Sequence, residues 1–277
     1  MTEHLKSGRL ELAFNTHGVG DHLLIFIHGY GKDKSDFSGL MEELPEQYKS
    51  VSLDIPFHGD SENNDLGNEI PISKSEWVSW MNDFIASQKC ASFSLIGYSI
   101  GGRLALCYAE SRPVGLRRLL LLAPDGFIKN PWNILFTRNP LGRFFFRSGM
   151  KNGHRTDGFI KLLARAGLLS GRKLKLVEHN IQGKKAKMKL YNTWVMLREL
   201  WPEKAWLKDS NGMDWDNVIL LMGSHDSMIL WKSVRYRIPE LHMEKSIQVL
   251  NSGHDMMSRS VMNKVKAILI QPSHGQE

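Results

Sequence analysis

Gly97-Tyr98-Ser99-Ile100-Gly101, with Gly102 behind it, has the G-x-S-x-G spacing that exposes a serine hydroxyl on a sharp strand-to-helix turn. Flanking glycines suit such a turn because it leaves little room for side chains. The surrounding residues supply the context that the pattern needs. An apolar run, Phe93 to Ile96, leads in, and a stretch of helical character, Gly101 to Glu110, leads out. The start of that helix would also set partial positive charge beside a developing oxyanion. A serine hydroxyl is a weak nucleophile at neutral pH, so the chemistry calls for a base within reach. The chain has 11 histidines, most of them expected on the surface or in caps. Other chemistries lack their signatures. There is no HExxH, paired CxxC, calcium loop, GxGxxG or P-loop, so no metal and no cofactor is expected.

The elements that must position Ser99 can be read from hydrophobic runs. His22 to His28 is almost continuously apolar and suits a strand buried on both faces. Lys49 to Ile55, Ser92 to Gly97, Arg118 to Ala123, Asn217 to Gly223 and, more weakly, Ser246 to Leu250 repeat that pattern. Leu10, Leu12 and Phe14 alternate with polar residues, as an antiparallel edge strand would. Between the runs, Trp77, Trp80, Met81, Phe84 and Ile85 keep helical spacing, and Met256 to Ile270 is also helical in pattern. Alternating strands and helices predict an α/β fold with a mostly parallel central sheet flanked by helices. The alternation stops after Asp125. From there to about Lys208 no strand-like run occurs. Phe159, Leu162, Leu163 and Ala166, then Met188, Tyr191, Trp194, Val195 and Trp201, keep helical spacing. The predicted division is an α/β body over 1–125 and 209–277 and a helical cap over 126–208.

In this order the chain resembles the α/β-hydrolase superfamily, and the resemblance runs along the whole sequence. His28-Gly29-Tyr30-Gly31 stands where that family keeps its H-G-x-G loop. Asp54-Ile55-Pro56-Phe57-His58-Gly59-Asp60-Ser61 is similar to its D-x-x-G/P-x-G-x-S loop. The Ser99 elbow follows, and then Gly223-Ser224-His225-Asp226 and Gly253-His254-Asp255 after the last strands. The resemblance implies an α/β-hydrolase fold with a helical lid inserted after the sixth strand. It implies a catalytic serine, acid and base in the order Ser99, Asp226, His254. The backbone N–H groups of Tyr30 and Ile100 would form the oxyanion hole. Asp125, Asp214, Asp216 and Asp255 compete with Asp226 for the acid's place, and His28 and His58 are better suited to holding loops. The implied activity is that of a serine hydrolase, carboxylesterase-like, acting on a small molecule. The elbow through Arg103 is also similar to that of the menaquinone-pathway synthases that expel pyruvate from a succinyl-cyclohexene carboxylate. Tyr98 and Arg103 match that elbow by position. Together with Trp132 and Trp194 in the insertion, they are candidates for substrate binding. A ligand-binding protein without catalysis is the alternative from another class, and the full set of three residues argues against it.

Charge narrows the partners. The 277-residue chain carries a net +7, but sixteen basic and three acidic residues fall between 126 and 200. That stretch is +13 and the remainder is −6. Three uses of the basic stretch are open: a solvated surface, capture of an anionic small substrate, or docking to a membrane or nucleic acid. Nucleic acid is not expected, since no recognition module is visible. Trp132, Phe136, Phe144, Phe145 and Phe146, interleaved with Arg138, Arg143 and Arg147, suit either the roof of an apolar pocket or an acidic bilayer. The roof is the commoner use. Two cysteines outside any CxxC, a polar start and no apolar run near the ~18 residues of a spanning helix predict a cytoplasmic protein.

Overall fold

The computed structural model describes residues 1–61, 69–129, 131–151, 183–209, 215–238 and 246–271, with backbone alone at 131 and 132. Eight strands form one sheet: β1 (Thr2–Ser7), β2 (Leu10–His17), β3 (His22–Ile27), β4 (Tyr48–Leu53), β5 (Ser92–Tyr98), β6 (Leu116–Leu122), β7 (Val218–Gly223) and β8 (Ile247–Leu250). Their order across the sheet is β1-β2-β4-β3-β5-β6-β7-β8. β1 and β2 pair antiparallel, as do β2 and β4, and every other neighbouring pair is parallel.

The apolar runs are strands because both of their faces are covered. Leu24 and Phe26, Ile96 and Tyr98, and Leu120 and Leu122 pack in one cluster with Val261, Val265, Ile268 and Leu269 of the helix Arg259–Ile270. The alternate residues Leu23, Ile25, Ile27, Leu95, Leu119 and Leu121 point to the other face and are equally buried. The helix Lys74–Gln88 buries Trp77, Trp80, Met81 and Phe84. Trp80 stacks on Phe84, and Phe84 meets Phe14 of β2 edge-on. The Trp77 indole donates to the Leu104 carbonyl at 2.9 Å, which ties this helix to the one that leaves the elbow.

One expectation is corrected. Leu10 to Phe14 is not the edge of the sheet, because β1 lies outside it, paired from Thr2↔Asn15 to Ser7↔Leu10. β1 is largely exposed, so its sequence carries no alternation to announce a strand.

In chain order, the helices Pro131–Arg138, Pro140–Lys151 and Gly183–Met196 stand between β6 and β7. Lys129–Glu199 and Asn64–Ser73 form a compact unit distinct from the sheet-bearing body. Of this unit, Lys129–Glu199 falls within the expected 126–208, and Asn64–Ser73 does not. Within this unit Phe146, Met150, Tyr191 and Val195 make a small core, with Phe136, Met188, Leu190 and Trp194 packed around it. Phe159, Leu162, Leu163 and Ala166 lie outside the described residues.

Candidate active site

β5 ends at Tyr98, and the helix Ile100–Ala109 starts at the next residue but one. Ser99 takes the whole turn, with φ +52° and ψ −116°. A non-glycine residue held there costs about 1–3 kcal/mol, so the surroundings must impose it. They do so through the backbone. Ser99 N–H donates to the Leu122 carbonyl at 2.9 Å, and the Ser99 carbonyl accepts from Gly102 N at 3.0 Å and Asp125 N at 2.9 Å. The two glycines of the pattern are close-approach positions. A Cβ at Gly97 would lie 2.6 Å from Gly102 Cα, and one at Gly101 would lie 2.1 Å from the Ile27 carbonyl oxygen.

The loops after β7 and β8 bring the partners. Ser99 Oγ is 3.0 Å from His254 Nε2, and His254 Nδ1 is 2.8 Å from Asp226 Oδ2. Asp226 is buried, and its other oxygen accepts from Met228 N at 2.7 Å and Ile229 N at 2.9 Å. Three donors thus converge on one carboxylate. An acceptor-only carboxylate fixes the proton of neutral His254 on Nδ1. Nε2 is then free to accept the Ser99 hydroxyl proton. Asp226 and not its rivals occupies this place: Asp125 pairs with Arg103, and Asp255 accepts from Met257 N. Asp214 lies outside the described residues.

The backbone N–H groups of Tyr30 and Ile100 are not hydrogen-bonded to any described residue. Gly29 lies against the elbow, where a Cβ would be 3.2 Å from that of Ser99 and 2.7 Å from the Tyr98 ring. Around this loop, His28 and His58 act as structural bridges. His28 donates from Nδ1 to its neighbour's carbonyl, Gly29 O, at 2.8 Å and accepts from Ile55 N at 3.1 Å. Complete burial lowers its pKa, consistent with the neutral tautomer those bonds need. His58 accepts from Gly31 N at 3.3 Å and donates to Pro56 O at 3.1 Å. Below them, Asp54 is fully buried and takes Lys34 N and Lys34 Nζ, both at 2.7 Å, and Asp60 N at 2.8 Å. Burial alone would lower the Lys34 pKa, but its bonds to Asp54 and Asp60 raise it. Lys34 lies in no motif, and its distance from Asp54 along the chain hides the pair in the sequence.

The substrate-binding candidates fare differently. Tyr98 is 5% exposed, and its hydroxyl donates to the His254 carbonyl at 3.1 Å, which ties the end of β5 to the histidine loop. Arg103 is 3% exposed, pairs with Asp125 Oδ2 at 3.5 Å, and lies over the Trp201 ring at 4.3 Å. Its Nε is buried and has no hydrogen-bond partner among the described residues. Trp194 packs on Phe146 inside the insertion, with ring centroids 5.8 Å apart. The Trp132 side chain lies outside the described residues.

A family model described as the alpha/beta hydrolase family matches residues 24–261. The chain belongs to that family. Among curated relatives, a 2-succinyl-6-hydroxy-2,4-cyclohexadiene-1-carboxylate synthase from an Enterobacter species is 35% identical over 99 residues, 35% of this chain and 36% of the relative. A pimeloyl-[acyl-carrier protein] methyl ester esterase from Neisseria meningitidis serogroup B is 33% identical over 97 residues, 35% of this chain and 34% of the relative. The chain therefore spans about a third of the length of these curated relatives. An esterase from Thermogutta terrifontis superposes with a TM-score of 0.62 at 16% identity, covering 94% of this chain and 93% of that one, a likeness of fold alone.

Proposed function

We propose that the protein is a serine hydrolase that cleaves an ester or related acyl bond of a small molecule. The observation that carries this reading is the relay from Ser99 Oγ through His254 to Asp226, at 3.0 and 2.8 Å. Ser99 Oγ attacks the acyl carbon while its proton passes to His254 Nε2. The oxyanion is held by the Tyr30 and Ile100 N–H groups, and removing one such donor costs about 2.7–4 kcal/mol of barrier. His254 then returns the proton to the departing alkoxide, which leaves an acyl-Ser99. Water, deprotonated by the same histidine, releases the acid. Asp226 keeps the histidine in the required tautomer and stabilises the imidazolium.

The test is labelling and turnover together. A fluorophosphonate should label Ser99 promptly, and the protein should cleave short p-nitrophenyl esters. Ser99→Ala should abolish both, a loss of at least ~10⁴-fold in kcat by comparison with other serine enzymes. Full activity in that variant would overturn the assignment. An unlabelled Ser99 beside a ligand-induced melting shift would favour a binding protein.

A second reading has its own support. The synthase-like relative and the buried Arg103 beside the elbow favour a pyruvate-eliminating enzyme on the same scaffold. There His254, held by Asp226, would take a substrate proton and pyruvate would leave. Release of pyruvate from the succinyl-cyclohexene carboxylate, without ester cleavage, selects this reading.

A further inference from the structure

The helix Pro140–Lys151 has two faces of different fate. Gly142, Phe146, Gly149 and Met150 are buried, with Phe146 against Tyr191 at 5.2 Å between ring centroids. Leu141, Phe144 and Phe145, at i, i+3 and i+4, are 63%, 66% and 55% exposed. Phe144 and Phe145 touch each other edge-on at 5.7 Å. The preceding helix adds Ile134 and Leu135, 37% and 43% exposed. The two helices are joined at the Arg143 guanidinium, which donates to the Thr137 and Arg138 carbonyls at 3.1 and 2.9 Å. Large apolar side chains clustered in the open are uncommon on a monomeric soluble surface and mark an interaction site.

Charge selects the partner. Arg147 and Lys151 follow Phe144 at i+3 and i+7, so cations border the apolar face, and both are exposed, as are Arg138, Lys184 and Lys185. The +13 of residues 126 to 200 sits in the same unit. An apolar stripe bordered by basic residues on a helix too short and too polar to span is what an interfacial helix needs. No helix among the described residues is long and apolar enough to cross a membrane.

We propose that this face docks on the surface of an anionic lipid bilayer, with Leu141, Phe144 and Phe145 entering the headgroup region and the flanking cations meeting lipid phosphates. This goes beyond the hydrolase reading and does not depend on it. The aromatic residues expected to roof a pocket therefore divide: Phe136 and Phe146 turn into the core of the insertion, whereas Phe144 and Phe145 face outward.

The experiment is co-sedimentation of the full chain with vesicles of phosphatidylcholine alone or with about 30% phosphatidylglycerol, a level that gives a cytoplasm-like surface potential. Wild type should pellet with the anionic vesicles and not with the neutral ones, and salt at several times the physiological level should release it. A Phe144→Ser, Phe145→Ser double variant should bind at least ~10-fold more weakly, the exchange of two aromatic insertions for hydroxyls, with soluble-ester turnover unchanged. Phe144→Trp, which fits an exposed position without refolding, should keep binding and show a blue-shifted difference emission on anionic vesicles. No pelleting, undiminished binding by the double variant, or no emission shift each overturns the proposal. So does a dimer in sedimentation velocity that the double variant dissolves, since a second copy would then cover the face.

Discussion

Asp226 and Glu69 are both carboxylates that gather several donors, one in the sheet-bearing body and one in the compact unit of Asn64–Ser73 and Lys129–Glu199. Asp226 is fully buried, and two of its three donors are backbone N–H groups from a turn it closes itself, Met228 and Ile229. Glu69 is 28% exposed, and its partners are all side-chain groups: Tyr191 Oη donates at 2.5 Å and Arg147 Nη1 at 3.1 Å, and Arg143 Nε lies at 3.5 Å as an ion pair. Backbone donors are placed by the fold and lose no rotamer freedom when they bind. Arginine and tyrosine side chains must be immobilised to do so. The body therefore has a fixed carboxylate that can hold an imidazole to a few tenths of an ångström, as a reacting group requires. The other unit has a carboxylate that gathers cations and offsets part of a large local positive charge.

The largest expected effect breaks the body's side of that contrast. In Asp226→Asn, the side-chain oxygen stays with the Met228 and Ile229 amides, so the new NH₂ faces His254 Nδ1. The histidine must then carry its proton on Nε2, and Ser99 loses its acceptor. A fall of ~10⁴ in kcat is expected with KM little changed, since such a triad relies on the tautomer. Ester turnover measures it. A loss under about tenfold would mean that Asp226 is only a structural cap.

Glu69→Gln tests the insertion. It leaves Arg143 and Arg147 without their counter-charge, and it turns an acceptor of charged donors into a neutral one. A local loss of about 1–2 kcal/mol is expected, in the range for hydrogen bonds to charged groups and discounted for exposure. Amide exchange should rise in Gly183–Met196 and Pro140–Lys151 and stay unchanged in β3, β5 and β6. Equal destabilisation of the sheet would show that the two units unfold together and that the contrast is false.

The two regions also differ in how much of them could be read from the sequence. The parallel strands were legible because burial on both faces leaves an apolar run, as in His22–Ile27 and Leu116–Leu122. The elbow was legible because Gly97 and Gly101 are forced by backbone approaches that admit no Cβ. Asp226 could be preferred over Asp125 only through the order of motifs. What separates them physically, a turn that points two amides at one oxygen, is a three-dimensional fact. β1 was missed because an exposed edge strand imposes no periodicity. The outward turn of Phe144 and Phe145 was open for a similar reason. Phe144, Phe145 and Phe146 are consecutive, and consecutive residues on a helix point in directions about 100° apart, so the run alone cannot say which phenylalanine is inside. The Glu69 cluster was invisible, because Arg147 and Tyr191 lie 78 and 122 residues from Glu69 along the chain.

Tyr98→Phe carries the smallest expected effect and sharpens the contrast most finely. The tyrosine hydroxyl reaches the His254 backbone carbonyl from β5, so the strand that ends at the nucleophile also holds the base. The ring stays in place without the hydroxyl, because Gly29 and the Phe26 cluster pack around it. Burial raises the Tyr98 phenol well above its ordinary pKa, so it is neutral and a donor throughout the working range. Removing the hydroxyl leaves the part-buried His254 carbonyl one bond short, worth about 1 kcal/mol. If the bond only stabilises the loop, the melting temperature falls and kcat is unchanged. If it positions the base, kcat falls about fivefold, the same energy read as a barrier, while KM and the pKa of the rate profile stay put. The second outcome is expected, because the Tyr98 hydroxyl is bonded to the backbone of the residue whose Nε2 faces Ser99 Oγ. Unchanged kcat beside a lowered melting temperature would return Tyr98 to the ordinary core.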